Sequence, residues 1–189
     1  IGAGQMGAHH IRNYSKMTGV ELVAISDVNE EKKKIAEEYG CKFYTSYTEM
    51  LEKENMDAVS IAVPSSLHHE VSLEAIKGGK HVLIEKPIAE TVEEAEEIIN
   101  AARERGVKLM VGHIERFNPT IKKLKDIIEL GTIGEITSII SRRVGGYPRN
   151  VEEGNVITDL AVHDIDIFNY LLGKKPISVH SHSIKTHNS

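Results

Sequence analysis

Short apolar runs alternate with longer amphipathic ones over the first two-thirds of the chain, the pattern of a parallel sheet covered by helices. Ile1 reads as the last residue of a first strand, and a helix is predicted from about Gln5 to Lys16. Glu21-Leu-Val-Ala-Ile-Ser26 reads as a second strand. Asn29 is placed to cap a Lys- and Glu-rich helix that Gly40 ends. A short strand at Lys42 to Tyr44 leads to Ser46, which with Glu49 has the spacing of a capping box. Asp57 to Val63 is a buried strand stopped by Pro64. A helix over about Leu67 to Lys77 ends at Gly78-Gly79, and His81 to Ile84 is the next strand. Thr91 and Glu94 form a second capping box, opening a helix that runs to Gly106, and Lys108 to Val111 closes the block.

The rhythm changes after Gly112. Asn118-Pro119 combines a cap with a first-turn proline, and the helix it starts ends at Gly131. A longer strand is expected over Glu135 to Val144, then a loop, a strongly apolar helix over about Val156 to Leu172, and another strand from about Pro176. The reading is an α/β doubly wound parallel sheet over residues 1–112, then the first part of an α+β domain over 113–189. The opening at Ile1 without an initiator Met and the polar close from His180 to Ser189 read as a fragment, which leaves a signal peptide open.

Bulk properties narrow the class. The 189 residues are 40% hydrophobic and 27% charged, ordinary for a globular protein. A formal charge of −5 argues against nucleic acid or an anionic membrane as partner. Cys41, the only cysteine, cannot form an internal disulfide, which fits a reducing compartment such as the cytoplasm. No stretch approaches the roughly 20 apolar residues that span a bilayer.

The candidate chemistry starts at Gly2-Ala-Gly4-Gln5-Met6-Gly7, a G-x-G-x-x-G between a strand end and a helix. The first glycine permits a tight turn, the second lets backbone approach a pyrophosphate, and the third allows close helix–strand packing. The helix start offers free N–H groups and the positive end of a dipole to the phosphates. Asp27 lies just past the second strand, 20 residues beyond Gly7, where a carboxylate can accept hydrogen bonds from the adenosine ribose. No Arg or Lys follows it until Lys32, so NAD is favoured, with NADP the alternative.

Two further features suggest catalysis. Lys86, in Glu85-Lys86-Pro87, follows the strand His81 to Ile84, at the carboxyl end of the sheet where ligands gather. A cation there can stabilise a developing alkoxide; the plain alternative is a solvated surface lysine. Asp159, His163, Asp166 and Tyr170 share one face of the apolar helix by their spacing. A polar row on a buried helix is expensive unless it faces a cleft or finds partners. His163 is the natural proton acceptor near neutral pH, and Asp159 can orient it. The pair also fits a polar contact between domains, or two ligands of a metal with His113; catalysis is favoured and no metal is expected.

Taken together the chain resembles the Gfo/Idh/MocA family, named for glucose-fructose oxidoreductase, inositol dehydrogenase and a rhizopine-catabolism protein. The likeness rests on the Gly2–Gly7 loop, Asp27, Val63-Pro64 with Leu67-His68, Gly79 through Pro87, Gly112 through Pro119, and Asp159-x₃-His163. It implies a Rossmann domain followed by a domain with an open, mainly antiparallel sheet that often forms a dimer interface, hence a homo-oligomer. It implies catalysis by Lys86, Asp159 and His163, with hydride passing between a substrate hydroxyl and NAD. It places Pro64, His68, Glu85 and Lys86 with Gly2, Gly4, Gln5, Met6, Gly7 and Asp27 at the cofactor, Glu85 by the nicotinamide ribose. Lys86, His113, Arg116, Asn118, Arg142, Arg143 and Tyr147, with Asp159 and His163, would line the substrate cleft. Such arginines suit phosphate- or carboxylate-bearing substrates, and the His113 to Pro119 segment looks most like members that oxidise UDP-N-acetylglucosamine. A non-catalytic dinucleotide-binding sensor or scaffold and a metal-dependent enzyme are the competing readings.

Overall fold

Five parallel strands carry the first half of the chain in a computed structural model that describes residues 1–143 and 156–184. The strands are β1 (Ala24–Ser26), β2 (Lys42–Tyr44), β3 (Ala58–Ile61), β4 (His81–Ile84) and β5 (Leu109–Val111). They form two described groups, β1-β2 and β3-β4-β5. Ile1 and Gly2 bridge them: Gly2 N donates to Ser26 O at 2.8 Å, Ile1 N to Ser60 O at 2.7 Å, and Ala62 N to Ile1 O at 2.9 Å. A cavity of about 730 Å³ separates the facing edges, lined in part by Ile25, Val59 and Ser60. This is the parallel, helix-covered sheet expected from the alternating pattern, and the strand register is continuous, Ala58 opposite His81 and Val82 opposite Leu109.

The helices around it are α1 (Gln5–Tyr14), α2 (Lys33–Tyr39), α3 (Tyr47–Lys53), α4 (His68–Lys77) and α5 (Val92–Arg105). Their ends follow local chemistry. Asn29 accepts from Glu31 N and opens a short 3₁₀ turn ahead of α2, and Gly40 ends α2 in the left-handed conformation. Thr91 and Glu94 make a full capping box on α5. At α3 only half the expected box forms: Ser46 accepts from Glu49 N, but the Glu49 carboxylate turns one turn onward to Lys53 at 2.5 Å. The core is built from strand and helix interiors, with Ile61, Ile76, Ile84 and Ile98 fully buried. Each such side chain contributes about 1.5–3 kcal/mol of transfer free energy.

The chain falls into two compact units, 1–113 and 114–189. The second begins with a 3₁₀ turn, Ile114–Phe117, before α6 (Pro119–Glu129), capped by Asn118 as its sequence predicts. A π turn over Ile157–Ala161 then leads into α7 (Val162–Leu172), closed by left-handed Gly173. Two expectations fail here. Residues 135–143 form no strand, and none forms from 176 to 184. A strand exists only as part of a ladder, no described segment pairs with either stretch, and Ile140 and Val179 stand 83% exposed. The expected regular helix over Val156 to Leu172 instead starts with a π turn, a widening that recurs at functional sites.

Candidate functional site

The three glycines of the opening turn have three different jobs. Gly2 takes φ +85°, and a Cβ on it would lie 2.6 Å from Ala62 O, so it lets the turn press against the end of β3. A Cβ on Gly7 would lie 2.0 Å from Gly2 O, so the first turn of α1 packs directly on the loop. Gly4 is different: no atom of the described residues lies within 4 Å of a Cβ placed there, and its φ is an ordinary −68°. Two glycines serve internal packing and the middle one leaves an open approach for a ligand.

The surroundings suit an anion. Among the described residues no side chain caps α1 and no acid stands in its first turn, which leaves the Gln5 and Met6 end of the helix as an uncapped set of N–H groups. Gln5 and Met6 are exposed. Asp27 is fixed just behind the turn: Ala3 N donates to its Oδ2 at 2.7 Å and Asn29 N to its Oδ1 at 2.8 Å. Two backbone donors lock the carboxylate and leave further lone pairs for a ribose diol. These residues fit a dinucleotide with its pyrophosphate over Gly4.

The ends of β3 and β4 complete this side of the unit. Pro64 is exposed at the exit of β3. His68, at 1% exposure, lies beneath that exit rather than at its surface. Its Nδ1 is 2.7 Å from Pro87 O and its Nε2 3.0 Å from Val63 O. It therefore ties the loop after β3 to the one after β4. The Lys86–Pro87 peptide is cis. Glu85, 7% exposed, receives the Lys86 amide on Oε2 at 3.3 Å and faces His10 Nε2 at 2.7 Å on Oε1. Burial pushes this carboxyl up, but the hydrogen bond from His10, with the Lys86 amide and charge, more than offsets it and holds it below the usual carboxylate range. Gly112 makes room for the same group, since a Cβ there would sit 3.1 Å from Glu85 Oε2. His113 is half-buried.

Sequence reasoning does not single out His10. It also passes over Ser60, whose hydroxyl is 2.9 Å from His10 Nδ1, and Tyr14, whose hydroxyl is 3.1 Å from Ser60 Oγ. The available signal is the i, i+4 spacing of His10 and Tyr14 on the helix of the glycine turn.

In the second unit Asp159 and His163 are half-buried, one turn apart where the π turn passes into α7. The expected polar row divides here. Asp166, 8% exposed, is held by Arg116 through both Nε at 2.8 Å and a second nitrogen at 2.5 Å. The Tyr170 ring has two cations near it, Arg116 and Lys125, each 5.6 Å from its centre. Arg143 is similarly committed to Asp164, with Nε at 2.9 Å, and Ser141 donates to the same carboxylate at 2.8 Å. Arg143, foremost, and Ser141 hold Asp164 below the usual carboxylate range against the opposing effect of burial. Asn118 is the cap of α6, its Oδ1 taking Thr120 N at 3.0 Å. Arg116 and Arg143 thus each already hold a carboxylate of the chain, so they are poor evidence for an anionic substrate. Arg142 is exposed, and Tyr147 lies outside the described residues. Among the described residues no group of three or more His, Cys, Asp or Glu is placed to hold a metal ion, and no helix is long and apolar enough to cross a membrane.

Comparison with known proteins bears on both units. Residues 1–113 match a family model described as an oxidoreductase family with an NAD-binding Rossmann fold, and residues 121–189 match the GFO/IDH/MocA C-terminal domain. The chain is 33% identical to inositol 2-dehydrogenase 2 of Saccharopolyspora erythraea, over 97% of its own length and 56% of that protein. It is also 33% identical to UDP-N-acetylglucosamine 3-dehydrogenase of Acidithiobacillus ferrooxidans, over 95% of its own length and 55% of the relative. Among solved structures, scyllo-inositol dehydrogenase from Lactobacillus casei, with bound NAD(H) and scyllo-inositol, superposes with a TM-score of 0.80 at 25% identity. That match covers 92% of this chain and 55% of the other. The chain thus spans about half the length of the relatives it matches.

Proposed function

The chain belongs to the Gfo/Idh/MocA oxidoreductase family, whose first domain is an NAD-binding Rossmann fold, and from that premise we propose that it is part of an enzyme that oxidises a polyol or sugar hydroxyl with NAD. The observation that carries this reading is the division of labour among the glycines: Gly2 and Gly7 are closed in by backbone, while Gly4 is open beside an uncapped helix end. Asp27 would accept from the adenosine ribose, Gln5 and Met6 would give their amides to the pyrophosphate, and Pro64, Glu85 and Lys86 would hold the nicotinamide half.

Bound NAD supplies a hydride acceptor at C4 of its nicotinamide ring. The chain's own part is to hold the alcohol and move its proton. Lys86 donates a hydrogen bond to the substrate oxygen and stabilises negative charge as the O–H bond weakens. His163 takes that proton as general base, and Asp159, one turn earlier, orients the imidazole. His113 and Asn118 would contribute to the substrate side. Inositol and UDP-N-acetylglucosamine dehydrogenases both stand among the relatives. The internal pairing of Arg116 and Arg143 favours an uncharged polyol over a nucleotide sugar.

The test is NAD⁺ reduction by the full-length protein over a panel of inositols, sugars and UDP-sugars, with Lys86→Ala and His163→Ala beside it. Turnover should appear on a neutral polyol and fall by about 10²–10⁴ in His163→Ala. Turnover unaffected by Lys86→Ala removes the mechanism. Tight NAD binding with no turnover on any polyol replaces the enzyme by a sensor.

A further inference from the structure

Helix α1 does more than present its N-terminus. One turn into it His10 leaves the glycine loop and reaches across β3 to the end of β4, where its Nε2 meets Glu85 Oε1 at 2.7 Å. An ionised carboxylate only accepts, so Nε2 carries the proton of this bond. Nδ1 on the far side of the ring meets the Ser60 hydroxyl at 2.9 Å, and Ser60 meets the Tyr14 hydroxyl at 3.1 Å. The four groups form a directed chain: Tyr14 O–H to Ser60, Ser60 O–H to His10 Nδ1, His10 Nε2–H to Glu85. Every donor in it has an acceptor, and it ends on a carboxylate that is 7% exposed.

A nearly buried carboxylate is costly to keep unless its hydrogen bonds are supplied. Here the supply comes from separate elements. α1 gives His10, β3 gives Ser60 to orient it, the Lys86 amide approaches Oε2 at 3.3 Å, and Gly112 beyond β5 leaves space that any larger residue would fill. So much support around one carboxylate at the carboxyl end of the sheet is more than packing requires.

We propose that His10 is a positioning residue, set by Ser60 and Tyr14, that holds the Glu85 carboxylate in place to accept from the hydroxyls of the nicotinamide-side ribose. The inference rests on the dinucleotide reading given above and deepens it. It links the two ends of the cofactor through one helix: the start of α1 receives the pyrophosphate, and its second turn fixes the group that receives the ribose.

The charged or titratable groups facing Glu85 are His10 from α1 and Lys86 from its own segment; Tyr14 closes the chain behind His10. In His10→Ala burial then acts on Glu85 with only the Lys86 amide and charge against it, and the carboxyl takes up a proton at higher pH than in the unaltered protein.

The experiment is fluorescence titration of NADH and, separately, of ADP into the full-length protein from low to neutral pH. The variants are His10→Ala, His10→Gln and Ser60→Ala. His10→Ala should weaken NADH about ten- to a hundredfold, the effect of losing a hydrogen bond to a charged group, and leave ADP within about twofold. Its loss of NADH affinity on acidification should begin at higher pH than in the unaltered protein. His10→Gln, which restores an N–H donor, should recover most of the NADH affinity, and Ser60→Ala should fall between. Should His10→Ala not fold, His10→Asn, too short to reach Glu85, carries the same comparison. Equal losses for NADH and ADP, or an unmoved pH profile, overturn the positioning role while leaving the dinucleotide site intact. An unaltered protein that binds neither ligand removes the site itself and this inference with it.

Discussion

Replacing each glycine of the opening turn by alanine should separate folding from binding. At Gly7 the added methyl group would stand 2.0 Å from Gly2 O and 2.8 Å from the carbonyl carbon of the same residue. Backbone on both sides must move by about an ångström, and forcing atoms into such a contact costs about 1–3 kcal/mol or more. At Gly2 the contact with Ala62 O at 2.6 Å adds to a φ of +85°, which costs a residue with a Cβ about 1–2 kcal/mol. At Gly4 neither term applies, so stability should stay within about 0.5 kcal/mol of the unaltered protein. The methyl group there would instead occupy the approach of the pyrophosphate, and NADH affinity should drop at least about tenfold, or about 1.4 kcal/mol. Urea unfolding and NADH fluorescence on the same three variants measure both quantities. Wild-type NADH affinity in Gly4→Ala, or unchanged stability in Gly7→Ala, would refute the assignment of these roles.

Further outcomes follow from other contacts. Asp27→Ala should reduce NAD affinity about tenfold or more and NADP affinity less, read as the ratio of dissociation constants; an unmoved ratio means that Asp27 is not the ribose ligand. Arg116→Ala strips the nearly buried Asp166 of a two-bond partner and should lower stability by about 1–3 kcal/mol in urea unfolding, with Arg116→Lys recovering little because a lysine cannot restore both bonds; full recovery contradicts the pairing. Burial, with a hydrogen bond to Glu70, pushes the Tyr47 hydroxyl up to about 12. Its folded value lies above the ordinary one near 10, so its contribution to stability is whole below pH 10 and is lost as pH rises through about 12. Tyr47→Phe should remove a late step from an ultraviolet titration of the six tyrosines; identical curves contradict it.

Much of this architecture is written in local chemistry. The capping of α5 by Thr91 and Glu94, the ends of α2 at Gly40 and of α5 at Gly106, and the strand His81–Ile84 are set by nearby residues, so the sequence pattern predicts them. The stretch 135–143 is not legible in the same way. Its apolar residues predict a strand, but a strand is decided by a ladder partner, and no described segment supplies one. The π turn at Ile157–Ala161 is equally hidden, because it changes the hydrogen-bond step without changing the apolar composition of the helix.

The candidate site divides along the same line. Gly2, Gly7 and Asp27 are readable because each meets a backbone requirement at a fixed distance in sequence. The commitments of Arg116 to Asp166 and Arg143 to Asp164 join residues 50 and 21 positions apart, and only the fold brings such pairs together. The same holds for His10, Ser60 and Glu85, contributed by a helix and two strand regions far apart in the chain.

Direct transfer of hydrogen is the measurement closest to the central claim. Full-length protein is incubated with NAD⁺ and a polyol carrying deuterium on the carbon to be oxidised, and the NADH is examined by NMR. Deuterium at C4 of the nicotinamide, on one face and absent when Lys86 is replaced by alanine, is the predicted result. NADH formed without the label, or labelled equally in the Lys86 variant, would contradict it.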